Sequence, residues 1–365
     1  MLSLGLTYAE TTLYGNVDQA WNKSTIKSGG ATIRDKTGFA SVQMGGGVLG
    51  VKGTEDLSDG LKASYTIEIQ PGIDGDSGDW NRQSFVGLSG GFGALRIGKQ
   101  YSNAFNNTVG VDPGGATGVA GNNSYCVLLG YTKCIGGSDA PLRQPNGMQY
   151  DLPEMLPGLK VGVTVVFGEQ NTAKGGQPSG DGNGISVSYS SGPFYAGYTF
   201  DRVKNTGIGL LSSPGTTLEY VLPSTVNIEK QTYDVAAASP SDQNKLTTMS
   251  ASYNLGVAKL SINNSKMSVG SKSVDNTFVA VSVPFGGNAN VWASVSKGST
   301  YLSSTNTTIS GNTIAGDKDH EGFQLGVNYA LSKRTVAYAQ YGKMELQSTK
   351  AFEQTGTAIG IHHSF

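Results

Sequence analysis

The feature that most constrains this chain is an alternation of apolar and polar residues with a period of two. It recurs from one end of the sequence to the other. In the segment 323–329, apolar Phe, Leu, Val and Tyr alternate with Gln, Gly and Asn. Because successive side chains of a β-strand point to opposite faces, this pattern indicates strands with one apolar and one polar face. The chain is therefore predicted to be all-β.

The connections between these strands fall into two populations that alternate strictly along the chain. The short ones are turn-like, as in Ser89–Gly93, whereas the long ones are polar and rich in Gly, Ser, Thr, Asn and Asp. The long connections are expected at 23–37, 70–80, 102–143, 169–183, 205–243, 267–275 and 299–318. In an up-and-down barrel this arrangement gives one rim of tight turns and one rim of long loops, which is typical of transmembrane β-barrels.

Sixteen strands lie between these connections, and most are long enough to cross a bilayer, which takes about 9–11 residues. Their predicted bounds are 10–22, 38–52, 60–70, 80–90, 92–101, 144–152, 158–168, 184–191, 193–204, 245–255, 257–266, 275–284, 288–298, 319–330, 334–346 and 354–365. A closed barrel of this size encloses an aqueous channel, whereas a barrel of about eight strands is filled by its own side chains.

Composition agrees with a barrel whose interior is hydrated. Only 37% of the residues are hydrophobic, against roughly 45–50% in soluble domains. A barrel with a hydrated interior needs fewer hydrophobic residues than a soluble domain, because only one face of each strand must be apolar. No stretch approaches the roughly 20 apolar residues of a spanning helix. The net charge of -1, without long charged blocks, gives no sign of a nucleic-acid partner.

The beginning of the chain has a different character from the rest. Residues 1–9 contain a short apolar run and a small residue at a plausible cleavage site, but no basic segment. We expect them to be the remnant of a secretory signal peptide, with residues 10–365 forming a single barrel domain. The alternative is that residues 1–9 belong to the lead-in of the first strand.

Five segments, spread over nearly the whole chain, carry a family pattern. They are Thr12–Asp18, Gly50–Ala63, Asn81–Leu88, Ile97–Tyr101 and Gly360–Phe365. In this order they resemble the Gram-negative general porins, especially those of beta-proteobacteria, with Phe365 ending the closing strand. The resemblance implies a homotrimer of sixteen-stranded barrels in the bacterial outer membrane, in contact with lipid and lipopolysaccharide. It implies passive diffusion of small polar solutes and ions, with no cofactor and no enzymatic activity.

The resemblance also places the narrowest part of the channel. It implies that the third long loop, here about 102–143, folds into the lumen and sets acidic groups against basic side chains on the wall. The candidate constriction residues are Arg82, Arg143, Lys52 and Lys99 on the wall and Asp112 on the loop. For each of them the alternative is an exposed charge at a loop or rim without a role in transport.

Two positions depart from the anion-preferring members of the resembled family. Val48 occupies a position where those relatives carry an arginine, and Lys99 occupies a position where many relatives carry a second arginine. A thinner set of arginines attracts anions less strongly. We therefore expect weak charge selectivity.

The two cysteines, Cys126 and Cys134, both lie in the expected constriction loop. A local disulfide between them would close a small ring and reduce the freedom of the loop. We expect this bridge if the compartment is oxidising, and two free thiols are the alternative.

Other functions are less well supported. A substrate-selective channel of the same fold and a β-rich surface binding protein remain alternatives. Gly87–Gly91 fits the G-x-S-x-G pattern of hydrolases, but another strand follows it where a helix is required, so a barrel enzyme is disfavoured. His362 and His363 point to opposite faces of a strand and His320 has no partner nearby in sequence, so no metal site is expected.

Overall fold

The structure is a computed structural model that describes most of the chain. The described residues are 10–41, 44, 47–72, 79–115, 119, 143–168, 181–204, 217–218, 221–222, 226–227, 231–232, 243–269, 272–309, 312–346 and 352–365. Residues 1–9, Cys126 and Cys134 lie outside them, so the expectations for a signal remnant and for a disulfide stay predictions.

The described residues form one large antiparallel sheet, two pairs of very short strands and a helix. The strands of the large sheet are β1 (Glu10–Ser28), β2 (Ala31–Ala40), β3 (Val48–Ser58), β4 (Leu61–Gln70), β5 (Asp79–Gly90), β6 (Gly93–Tyr101), β7 (Arg143–Asp151), β8 (Leu159–Val166), β9 (Gly182–Ser191), β10 (Phe194–Lys204), β15 (Gln243–Asn254), β16 (Lys259–Val269), β17 (Lys272–Phe285), β18 (Ala289–Ile309), β19 (Asn312–Ala330), β20 (Thr335–Leu346) and β21 (Phe352–Ser364). The short pairs are β11 (Thr217–Leu218) with β14 (Gln231–Thr232), and β12 (Val221–Leu222) with β13 (Val226–Asn227). The helix is α1 (Asn103–Val109).

The sheet closes on itself where its last strand meets its first. β1 and β21 pair in register from Asn16 opposite Ser364 to Ser28 opposite Phe352. Phe365 extends this seam, because its N–H donates to the Gly15 carbonyl at 3.0 Å and its carbonyl accepts the Gly15 N–H at 3.2 Å. Closure leaves no open sheet edge along the seam, as a barrel in lipid requires.

The barrel has sixteen strand positions around its circumference, which we call staves, although the large sheet is built from seventeen strands. β2 and β3 both pair with β1, β2 opposite residues 20–28 and β3 opposite residues 10–16. They are thus two halves of the second stave, interrupted at 41–47. The predicted count of sixteen is confirmed, and most strand ends agree within a few residues.

Three predicted loops are instead continuations of strands. Most of the residues in 23–37, 267–275 and 299–318 are paired in the sheet, and the first of these segments turns at 29–30. The first turn is made by Gly29 and Gly30, whose φ angles of 59° and 81° suit a tight hairpin. The sequence pattern was wrong here because small polar residues continue a strand beyond the apolar belt as readily as they form a loop.

In this barrel the apolar side chains are exposed and the polar side chains are buried, which is the opposite of the arrangement in a soluble protein. On β19, Leu325 is 48% exposed, whereas the neighbouring Gln324 is fully buried. The same contrast holds around the sheet, with apolar residues outside and polar residues inside. Outward-facing examples are Leu13, Ile67, Val86, Met249, Ile262, Val295, Val327 and Ile359, and inward-facing ones are Asp18, Gln149, Thr164, Thr199, Thr248, Asn263, Gln340 and Gln354. An apolar outer band around a polar interior is the arrangement of a barrel that spans a membrane. Within the described residues, no helix has the length and apolar character to cross a membrane.

Candidate functional site

The chain that leaves β6 turns into the barrel. Ser102 begins α1, and its hydroxyl accepts the N–H of Phe105 at 3.0 Å, which satisfies one of the free donors at the helix start. The Phe105 ring then stacks on Tyr101, the last residue of β6, with ring centroids 4.8 Å apart. We call Ser102–Gly115 together with Val119 the lumen segment.

α1 is held against the barrel wall by amide and hydroxyl groups. Asn103 donates to the hydroxyl of Thr164 on β8 at 3.0 Å, and Asn107 donates to that of Thr248 on β15 at 2.8 Å. The Tyr195 hydroxyl on β10 donates to Asn107 Oδ1 at 2.9 Å. These partners are uncharged, so salt does not screen these contacts as it screens an ion pair.

Close approach of α1 to the wall depends on a glycine. A Cβ at Gly197 of β10 would lie 2.0 Å from Asn107 Oδ1, so any larger residue there would collide with the helix. Lys259 of β16 reaches the end of α1 and donates to the Gly110 carbonyl at 3.3 Å. The first part of the lumen segment is therefore seated on β8, β10, β15 and β16.

The far end of the lumen segment meets another part of the barrel. Val119 packs in an apolar cluster with Ala20 of β1, Tyr338 of β20 and Ala358 of β21. Gly356 of β21 provides the space, because a Cβ there would lie 2.6 Å from the Val119 carbonyl oxygen. β10 and β15 are the ninth and tenth staves and β21 is the sixteenth, so the two contact sites are separated by nearly half the circumference.

Two of the predicted basic residues come together beside the start of this segment. Arg82 on β5 and Arg143 on β7 are both buried, at 9% and 5% exposure. Their guanidinium carbons lie 5.7 and 5.2 Å from the centroid of the Tyr101 ring, within the range of a cation–π interaction. Tyr101 therefore contacts both arginines and also the ring of Phe105.

A register shift accompanies the inward position of Arg82. β4 and β5 pair regularly as far as Glu68 opposite Gln83, but the next pair is Gln70 opposite Asp79. An advance of two residues on β4 therefore corresponds to an advance of four residues on β5. This irregularity in the pairing changes the direction in which side chains point. Arg82 donates to Gln70 Oε1 at 2.9 Å, and its Nε lies 3.5 Å from Glu68 Oε2.

Glu68 is a site residue that the sequence interpretation missed. Besides facing Arg82, it accepts the Tyr14 hydroxyl at 2.8 Å and the Gln83 amide at 2.9 Å, and it is 8% exposed. One signal was available in the sequence. Glu68 lies between Ile67 and Ile69, so the alternation on β4 already assigned it to the polar, inward face.

The other predicted residues lie in different surroundings. Lys52 of β3 places its Nζ 4.8 Å from the Tyr14 ring centroid, so it adjoins the Glu68 group. Lys99 of β6 pairs with Ser84 of β5, which pairs in turn with the outward-facing Ile67 of β4. Asp112 is buried, and its carboxylate accepts the Gly114 N–H at 2.8 Å within its own turn.

The arrangement is chemically suited to contact with ions and water. Within the described part of the chain, no group of three or more His, Cys, Asp or Glu side chains could hold a metal ion. The described charged groups around Tyr101 include two guanidiniums and the Glu68 carboxylate, which present both signs of charge on one wall.

Comparison with known proteins identifies the family. The family model described as Gram-negative porin matches residues 5–349. Major outer membrane protein P.IB of Neisseria meningitidis serogroup B is 29% identical over 361 residues, covering 98% of this chain and 95% of the relative. Outer membrane porin protein 32 of Delftia acidovorans is 27% identical over 341 residues, covering 87% of this chain and 84% of the relative.

Solved structures share the fold over the whole length. The anion-selective porin from Comamonas acidovorans has a TM-score of 0.72 and 24% identity, covering 98% of this chain and 100% of that one. The trimer form of OmpT from Vibrio cholerae has a TM-score of 0.61 and 15% identity, covering 98% of this chain and 99% of that one. With its closed barrel, apolar exterior and polar interior, the chain belongs to the Gram-negative porin family and is a non-enzymatic channel of the bacterial outer membrane.

Proposed function

We propose that this porin is a general diffusion channel for small hydrophilic solutes and ions, with weak charge selectivity. Its narrowest point would lie between the lumen segment and the wall around Tyr101. The observation that carries the proposal is that the lumen segment contacts staves on two sides of the barrel. A segment seated at both ends reduces the cross-section that is open to solutes.

The charged side chains beside this point suggest how solutes are sorted. Arg82, Arg143 and Lys52 are the basic groups of the wall, Glu68 is their acidic neighbour, and Asp112 adds a carboxylate on the loop. Charges of opposite sign orient water across a pore, so a polar solute that loses part of its hydration shell there finds compensating groups. An apolar solute of the same size finds none.

Weak selectivity follows from the balance of these charges. One relative in the comparisons is named as anion-selective. In this chain Val48 contributes no charge to the wall, and Glu68 opposes Arg82 at 3.5 Å. The carboxylate offsets much of the attraction that the arginine would exert on an anion at short range.

Planar-bilayer recording tests this proposal. With purified protein under a KCl gradient, we expect a reversal potential close to zero and a conductance that rises in proportion to salt concentration. A strongly anion-selective reversal potential would contradict the proposed balance of charges. Saturable block by a sugar would favour the alternative, a substrate-selective channel with a binding site in the lumen.

We also propose that the chain assembles as a homotrimer surrounded by outer-membrane lipid, including lipopolysaccharide. The trimer form of a structural relative supports this assembly. Light scattering of the detergent-extracted protein should give three times the mass of a single mature chain after correction for bound detergent. A protein that runs as a monomer under these conditions would contradict the proposed assembly.

We further propose that residues 1–9 are removed during export and that residues 10–365 form the mature barrel. The apolar run and small residue before Glu10 support this cleavage. Intact-mass measurement of protein from outer membranes should give a chain that begins near Glu10. A mature chain that retains residues 1–9 would favour the alternative, in which they lead into the first strand.

A further inference from the structure

The second stave is built from two strands, β2, which ends at Ala40, and β3, which begins at Val48. Ala40 of β2 lies opposite Ala20 of β1, and Val48 of β3 lies opposite Asn16. An advance of eight residues on the second stave, from Ala40 to Val48, therefore corresponds to an advance of only four residues on β1, from Ala20 to Asn16. The second stave therefore has four more residues here than the part of β1 that it faces.

Met44, in the middle of this interruption, is fixed to the inner face of the barrel. Its backbone N–H donates to Asp18 Oδ2 at 2.7 Å, and Asp18 lies on β1 with no exposed surface. The other oxygen of the same carboxylate accepts the Tyr338 hydroxyl at 2.6 Å. Asp18 therefore positions both the interruption and a ring of the wall.

The Met44 side chain packs against the cluster that receives the end of the lumen segment. That cluster consists of Ala20, Val119, Tyr338 and Ala358, all nearly fully buried. Val119 is its only member from the lumen segment, and Gly356 beneath it leaves space for the close contact. Met44 and Val119 thus pack against the same apolar cluster on the inner wall, next to the closing seam.

We propose that Met44 is a latch, which the Asp18 carboxylate positions so that its side chain holds Val119 and keeps the lumen segment across the channel. Met44 is the packing element, and Asp18 is a positioning residue. Without the latch, the lumen segment would remain seated on β8, β10 and β15 but would be released at its far end. The open cross-section of the channel would then fluctuate between two levels.

The inference rests on the proposal that the lumen segment narrows the channel, and the two can fail separately. Replacing residues 104–141 by a short Gly-Ser linker tests the narrowing itself. If that replacement changes the conductance but the latch variants do not, the latch is wrong and the constriction stands. If the replacement has no effect, the constriction proposal is wrong.

The experiment is single-channel recording of M44A and G356V, with M155A as the matched control. Met155 undergoes the same chemical change but is 62% exposed in the connection between β7 and β8. A Cβ at Gly356 would lie 2.8 Å from the Val119 Cβ, so G356V displaces Val119 while Met44 is intact. The heat-modifiable shift on gels verifies that each variant is folded.

For M44A and G356V we expect a second, higher conductance level, with an occupancy about fivefold to tenfold above wild type, because a buried packing contact is lost. The reversal potential should stay unchanged, since the charged groups around Tyr101 are not altered. M155A should behave as wild type. Traces of M44A and G356V that match wild type would overturn the latch, as would a shift of reversal potential without a new conductance level.

Discussion

Glu68 offers the sharpest test of how charge is arranged in the channel. Its carboxylate faces Arg82 at 3.5 Å and accepts hydrogen bonds from Tyr14 and Gln83. The substitution Glu68→Gln removes the charge and keeps the shape and one acceptor oxygen. Arg82 keeps its hydrogen bond to Gln70. The pore wall then gains one net positive charge at nearly constant geometry.

The size of the effect follows from electrostatics. For an ion about 6 Å from the altered group, one unit charge is worth about 0.7 kcal/mol in the dielectric of water. Screening over a Debye length of about 10 Å at 0.1 M salt reduces this to roughly 0.4 kcal/mol. That energy favours chloride about twofold and disfavours potassium about twofold, so the permeability ratio shifts toward chloride about fourfold. At 1 M salt, with a Debye length of about 3 Å, the shift falls below about 1.5-fold.

The assay is the reversal potential of single channels in KCl gradients at low and high salt. Arg82→Gln should shift the permeability ratio in the opposite direction, and the double variant should return close to wild type because the pair is removed together. Asp151→Asn is the control, since it removes a carboxylate that pairs with Arg96 on the same wall. Asp151 and Arg143 lie at opposite ends of β7.

Three results would refute this reasoning. An unchanged permeability ratio in Glu68→Gln would mean that the carboxylate is remote from the ion path, and a shift toward potassium would contradict the expected sign. An equal shift in Asp151→Asn would mean that the charge of the whole lumen, and not the Tyr101 group, sets selectivity. A shift that persists at 1 M salt would exclude a screened interaction with mobile ions.

Three further predictions concern the seat of α1, the end of the barrel and the cysteines. Gly197→Val should unseat α1, because its Cβ would lie 2.0 Å from Asn107 Oδ1, and the single-channel conductance should become heterogeneous. Phe365→Ala should lower the temperature at which the folded band is lost on gels, corresponding to about 1–2 kcal/mol for a half-exposed aromatic ring. Non-reduced protein should resist alkylation at Cys126 and Cys134, as mass spectrometry can show.

Each of these has a control or a contradicting result. Gly38→Val is the control for Gly197→Val, because a Cβ at Gly38 meets no atom within 4 Å. Homogeneous channels of wild-type conductance from Gly197→Val would show that the wall tolerates the larger residue. An unchanged transition temperature for Phe365→Ala would remove the terminal ring from the closing seam. Alkylation of both cysteines without reductant would exclude the bridge.

Much of the fold could be predicted from the sequence, because the alternation of period two reports directly on the two faces of each strand. The prediction of strand ends failed where small polar residues occur, because Ser, Thr and Asn are found both in loops and in strands that project beyond the membrane. The interruption in the second stave also escaped prediction. The run Gly45–Gly47 was a local signal for it, but a glycine run in a strand does not identify the partners of the neighbouring Met44.

The site was less predictable because it depends on neighbours across strands. Arg82 and Arg143 were identified by position, yet their shared contact with Tyr101 needs the register of β5, β6 and β7. Glu68 was visible as an inward-facing acid, but its partner depends on the irregular pairing near Gln70. Such shifts arise from packing around the whole barrel.

The conductance of a channel without its lumen segment tests the central proposal most directly. Single-channel conductance in 1 M KCl should be compared between wild type and the variant in which a Gly-Ser linker replaces residues 104–141. We expect the variant to fold into a barrel with a clearly higher conductance, because the segment seated between Gly197 and Gly356 is gone. A folded variant with unchanged conductance would show that the segment does not narrow the channel.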